Sequence, residues 1–102
     1  MEKNYQFHPE ANNEFKESVK WHNRNRSASG EEFAVSVFDK LEQIKENPEA
    51  RSADSDGVRW ASVAKFPYHI YYLFRAPIVW ILAIWHNSRK PEGWKERVND
   101  LD

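Results

Sequence analysis

Arg59, Lys65, Arg75, His86 and Arg89 are the side chains from which this chain could assemble a metal-free acid–base site. Cleaving an RNA phosphodiester without metal needs a base for the 2′-hydroxyl, cations for the charge developing at phosphorus, and an acid for the leaving oxygen. His86 could act as acid or base, because an imidazole titrates near neutrality. The arginines and Lys65 could carry the phosphorane charge. The same residues have a plainer reading, in which Arg59 and Lys65 alternate outward on one strand and are solvated, while His86 ends a strand. The tail has no tyrosine after Tyr72 to complete an acid–base set.

A second group lies further on, in Arg89-Lys90-Pro91-Glu92-Gly93-Trp94-Lys95-Glu96-Arg97. Arg89, Lys90, Trp94, Lys95 and Arg97 put cations beside an aromatic ring, and an exposed cluster of that kind could grip an acidic protein surface or a nucleic-acid backbone. Alternatively Trp94 folds back on the sheet or on a helical hairpin and anchors the tail, leaving Lys95 and Arg97 as solvated charges. The chain has no cysteine, so thiolate chemistry and disulfides are excluded. His8, His22, His69 and His86 are scattered, without the spacing of a zinc motif, and no metal or cofactor is expected.

These residues need a scaffold, and 102 residues supply a single core. Hydrophobic residues at 40% and charged residues at 30% fit a folded domain. Fifteen per cent aromatic, with five Trp, implies a core built on a few large side chains. Net charge is −1, which does not suggest a nucleic-acid binder. The distribution is uneven: residues 1–57 hold 8 Lys and Arg against 12 Asp and Glu, whereas residues 58–102 hold 7 against 4. The basic half could turn one face toward an anionic partner. Met1-Glu2-Lys3-Asn4 opens no apolar signal region, and the longest apolar run, Ile78 to Trp85, is too short to cross a bilayer. A cytoplasmic protein without a membrane partner is the expectation.

Lys3 to Phe7 reads as a short strand. From Pro9 to about Arg24, Ala11, Phe15, Val19 and His22 recur at helical spacing, with Pro9 in a first turn that tolerates it. Asn23-Arg24-Asn25-Arg26-Ser27 breaks the pattern. Ser29 and Glu32 form a capping-box pair, and a second helix runs to about Glu46 with Phe33, Ala34, Val37, Phe38, Leu41 and Ile44 on one face. Asn47-Pro48 stops it. Three strands follow, Val58–Phe66, Tyr68–Arg75 and Ile78–His86, parted by Pro67 and by Ala76-Pro77. Strict alternation in the last would set Val79, Ile81, Ala83 and Trp85 against Trp80, Leu82 and Ile84, apolar on both faces and therefore central. The opening strand is then the element that covers it. Trp60, Trp80 and Trp85 read as core or sheet-face residues, and Arg59, on the face opposite Trp60, could hold a carboxylate of the second helix or loop. The fold class is α+β: β-α-α-β-β-β in one domain spanning residues 1–102, a four-stranded, mostly antiparallel sheet with a helical hairpin on one face and a C-terminal tail.

That order resembles the RelE/ParE superfamily of toxins from type II toxin–antitoxin and plasmid-stabilisation systems. The resemblance is carried by Phe7-His8-Pro9-Glu10-Ala11, Asn47-Pro48, Val58-Arg59, Phe66-Pro67-Tyr68-His69-Ile70-Tyr71-Tyr72, and Ile84-Trp85-His86-Asn87-Ser88-Arg89-Lys90-Pro91-Glu92-Gly93-Trp94. It implies a small toxin neutralised by a cognate antitoxin whose extended segment wraps it. RelE-like members cleave messenger RNA on the ribosome with clustered Lys and Arg and a C-terminal Tyr or His. ParE-like members attack DNA gyrase and lack that set. Arg59 and the spacing of His86, Arg89, Pro91 and Trp94 look closer to the ParE branch. The resemblance thus implies a toxin that binds a target such as gyrase. The alternatives are a ribosome-dependent mRNA endoribonuclease and a degenerate, non-toxic binding protein. Exposed helices could also pair two copies.

Overall fold

The computed structural model describes residues 4–25 and 29–101 and places β1 at Asn4–Phe7, α1 at Pro9–Asn25, α2 at Gly30–Glu46, β2 at Val58–Ser62, β3 at Tyr68–Arg75 and β4 at Ile78–His86. A 3₁₀ helix at Lys95–Asp100 follows. Expectations that fell on Lys3, Arg26 and Ser27 lie outside the described residues.

Local chemistry sets the helix ends. His8 Nδ1 accepts the Glu10 N–H at 3.1 Å, covering one of the donors that the first turn of α1 leaves open. Ser29 Oγ accepts the Glu32 N–H at 3.0 Å, as the Ser29–Glu32 pair predicts. The Gly30 N–H is taken by Asn23 Oδ1 of α1 at 2.8 Å, so one helix caps the next. Gly30 permits that approach: a Cβ there would lie 2.6 Å from the Val19 carbonyl oxygen. Asn47 closes α2 immediately before Pro48.

The strands form one sheet in the order β1-β4-β3-β2, with β1 parallel to β4 and the other pairs antiparallel. The nine residues of β4 are therefore central, covered on the outside by the four of β1. Two expectations change. β2 ends at Ser62 rather than Phe66, because the chain turns there: Val63 N–H bonds to Tyr68 O at 3.0 Å, Tyr68 N–H to Phe66 O at 2.8 Å, and Lys65 takes φ 71°. Alternation in β4 also breaks, with the register stepping from Tyr71↔Ala83 to Tyr72↔Ile81 and leaving Leu82 as a bulge.

The bulge decides which side chains face which layer. Val79, Ile81 and Ile84 pack into the core beneath the helices with Phe33, Val37, Leu41, Ile70 and Tyr72. Leu82, Ala83 and Trp85 face the opposite side, where they pack with Val58, Leu73, Trp94 and Leu101. The tail thus roofs the second face of the sheet. Burying side chains such as Phe33, Leu41 and Ile81 completely contributes about 1.5–3 kcal/mol each.

Candidate functional site

The five candidate catalytic residues do not converge. Arg59, on the helix side of β2, donates from Nε to the Arg51 carbonyl at 2.7 Å, so its partner is a loop carbonyl and not the expected carboxylate. Arg75, at the far end of β3, donates from Nη1 to the Leu101 carbonyl at 2.8 Å. Arg89 donates to Glu14 Oε2 at 2.7 Å, and its guanidinium carbon lies 3.6 Å from the Trp85 ring centroid. Of the five, Lys65 and His86 line one cleft. Lys65 reaches it from the turn after β2, which corrects its placement on a strand.

The tail cations divide in the same way. Lys90 and Lys95 are exposed, and Lys95 pairs with Glu92 at 3.2 Å. Trp94 and Arg97 are buried, so neither belongs to an exposed cluster. Trp94 stacks on Tyr71 with centroids 4.3 Å apart, folding back on the sheet. Arg97 lays Nη1 and Nη2 against the two oxygens of Glu14 at 2.9 and 2.7 Å, and Nη1 also donates to the Leu82 carbonyl at 2.9 Å. The Ile84 N–H completes the arrangement by donating to Glu14 Oε1 at 3.1 Å. β1 ends at Phe7, so the outer edge of β4 beyond it would lack partners, and Glu14 with Arg97 satisfies that edge in place of a strand. His8 Nε2 and Asp100, 2.8 Å apart, tie the far end of the tail to the start of α1.

Lys65 and His86 meet in a cleft of about 860 Å³ between α1, the turn before β3 and the end of β4. Trp21, Phe66, Pro67 and Tyr68 supply its apolar lining, and Glu17, Glu32, His22 and Ser88 line it as well. His86 Nδ1 accepts the Ser88 N–H at 3.0 Å and lies 2.7 Å from Ser88 Oγ. With Nδ1 accepting, the proton of the neutral ring sits on Nε2. His22 is buried, stacked on Phe33 at 4.8 Å and met edge-on by Trp21 at 5.0 Å and Phe66 at 5.1 Å. Neither of its ring nitrogens has a protein partner. Burial holds its pKa below the ordinary 6.5, and the neighbouring His86 pushes the same way.

A second surface lies at the β2 edge. The Val58 N–H donates to Asp54 Oδ1 at 2.9 Å and the Val58 carbonyl accepts from the Asp54 N–H at 2.8 Å, which closes the first residue of that edge. Because Val63 bonds inward to Tyr68 and residues alternate, the backbone groups of Trp60 and Ser62 point outward. The Trp60 side chain is 51% exposed and lies 4.5 Å from the His69 ring, which lies 6.0 Å from Tyr71. Alongside runs a groove of about 520 Å³ lined by Val35, Ser36, Asp39, Lys40 and Gln43 of α2 and Ala64 of the turn. Val35 and Phe38 are among the large apolar side chains that stay exposed on α2.

Sequence reasoning missed Glu14 and underread His22. Glu14 carries no local signal, because its partner Arg97 is 83 residues away. His22 does carry one: a polar residue in register with Ala11, Phe15 and Val19 on a buried stripe.

Among the described residues no helix is long and apolar enough to cross a membrane, and no group of three or more His, Asp or Glu could hold a metal ion. Comparison with known proteins gives a family. Residues 5–91 match the ParE toxin of type II toxin–antitoxin systems, parDE. No curated protein matches the sequence. A solved chain from the chromosomal ParDE system of P. aeruginosa has a similar fold, with TM-score 0.59 and 17% identity over 84% of this chain and 96% of its own. The match to the family covers most of the chain, from β1 to the tail. The chain therefore belongs to the ParE toxin family of type II toxin–antitoxin systems.

Proposed function

We propose that this toxin acts by binding a cellular target such as DNA gyrase, and that a cognate antitoxin neutralises it. The supporting observation is the dispersal of the cations: Arg59, Arg75 and Arg89 are each committed to a different carbonyl or carboxylate. A nuclease would need them gathered around His86 to meet the charge on a phosphorane. The exposed tail lysines, Lys90 and Lys95, are the cations offered to a target, with Arg89 partly exposed beside them. For the antitoxin, the outward backbone of Trp60 and Ser62 offers strand addition, and the α2 groove offers apolar contact.

Purified toxin added to gyrase should inhibit supercoiling, and the antitoxin should reverse the inhibition. Induced expression should raise the DNA-damage response without new messenger 5′ ends. Codon-phased cuts would instead establish the endoribonuclease reading, for which Lys65 and His86 in one cleft are the starting point. An unaffected culture and an uninhibited gyrase would mark a non-toxic binding protein.

A further inference from the structure

The cleft beneath Trp21 combines features that the target and the strand edge do not use. Trp21 is 48% exposed, although it is a large ring on a packed helix. It stands over His22, and Phe66 and Tyr68 continue the aromatic wall. Glu17 and Glu32 lie on the rim, and Lys65, exposed on its turn, is the opposing charge. Glu17 is met by Lys20 at 3.6 Å, with both side chains largely exposed.

We infer that this cleft receives an arginine side chain from the antitoxin, its guanidinium lying against Trp21 between the carboxylates of Glu17 and Glu32. The inference rests on the antitoxin reading above. Flat aromatic walls fit a planar cation, which gains from the ring faces and from stacking. The lining itself holds two carboxylates and one lysine, and with Lys20 already meeting Glu17, Glu32 is the carboxylate left to attract a positive charge. A guanidinium has five N–H donors, enough to reach a carboxylate and a ring nitrogen of His22 together. His22 lies in the cleft wall, edge-on to Trp21 with centroids 5.0 Å apart, and its ring nitrogens have no protein partner. A neutral His22 accepts such a bond, whereas a charged one would repel the ligand. An ammonium would present a point charge with no flat face for the indole.

Titration of the full-length toxin with N-acetyl-arginine methylamide tests the pocket directly, read by the NMR signals of the Trp21 indole and the His22 and His86 rings. Saturable shifts are expected, weakened severalfold by Trp21→Ala and by Glu32→Gln. Equal shifts with the norleucine or lysine derivative, or no saturable shift, would overturn the proposal. A second arm uses the cognate antitoxin. Replacing one of its arginines by alanine should weaken the complex about tenfold, or about 1.4 kcal/mol, and that loss should vanish in Trp21→Ala toxin. A tight complex in which no arginine couples to Trp21 defeats the arginine pocket and leaves the antitoxin reading standing. No complex at all, with saturable binding of the arginine derivative, defeats the antitoxin reading and leaves a guanidinium pocket without its assigned partner.

Discussion

Glu14 and Arg97 meet in a two-point pair, each carboxylate oxygen facing one guanidinium nitrogen at 2.9 and 2.7 Å, although 83 residues separate them. The pair joins α1 to the tail and closes the outer edge of β4 through the Ile84 N–H and the Leu82 carbonyl. Arg97 is 7% exposed, so removing Glu14 leaves a charge largely out of water with only the exposed Glu10, 3.4 Å from Nε, still paired to it. Glu14→Ala should therefore cost about 3–5 kcal/mol. The Glu14→Leu, Arg97→Met double variant should recover only part of that loss, because it removes the buried charge but leaves the Ile84 N–H and the Leu82 carbonyl without their partners. Urea denaturation of the two variants checks both, and a Glu14→Ala loss below 1 kcal/mol would remove the clamp's structural role.

The helix junction at Gly30 makes a second prediction. A methyl group there would sit 2.6 Å from the Val19 carbonyl oxygen, backbone that cannot yield cheaply, and 2.7 Å from the Asn23 Oδ1 that caps Gly30. Gly30→Ala gains helix propensity, yet the clash should win and destabilise the fold by about 1–3 kcal/mol. Thermal unfolding followed by circular dichroism would show which effect dominates.

Stability should depend on pH through His22 and His69, both held below the ordinary imidazole value by burial. The unfolded chain takes up a proton near pH 6.5, while the folded chain does so only at lower pH. Stability is thus complete above about pH 7 and declines as pH falls through the unfolded value toward the folded ones. His22→Leu should flatten that decline. It should also cost little at pH 8, because it removes ring nitrogens that have no protein partner. Urea midpoints from pH 5 to 8 measure both effects.

Lys90→Glu with Lys95→Glu should weaken target inhibition at least severalfold while leaving the unfolding midpoint nearly unchanged, since both side chains are exposed. Trp60→Ser, at the outward edge of β2, should weaken antitoxin binding and spare target inhibition. Isothermal titration and a supercoiling assay separate the two surfaces. If either variant lost both activities, the division of labour between tail and edge would be wrong.

Much of this architecture is legible in the sequence, for local reasons. Ser29 with Glu32 marks the start of α2, Asn47-Pro48 its end, and an apolar strand with a lone partner at the N-terminus forces β1 onto β4. What escapes is set by contacts between distant segments. Arg59 cannot be matched to the Arg51 carbonyl, or Arg75 to that of Leu101, without knowing how the loop and tail pack. The bulge at Leu82 is equally silent, because every neighbour is apolar and no side-chain pattern registers the slip. Among the site residues, the tail reads as cationic from its composition, but only its packing separates exposed Lys90 and Lys95 from buried Trp94 and Arg97.

The parallel register of β1 on β4 has a consequence for synthesis. Asn4 aligns with Ile78 and Phe7 with Ile81, so β1 cannot pair until β4, far along the chain, has been made. Until β4 emerges, only the β2–β3 hairpin is there for α1 and α2 to pack on, and the Glu14–Arg97 clamp closes later still. Long-range closure of this kind slows folding. The sheet and the clamp should therefore stay unfinished until β4 and the segment around Arg97 have been translated, although the helices that pack on them are made long before.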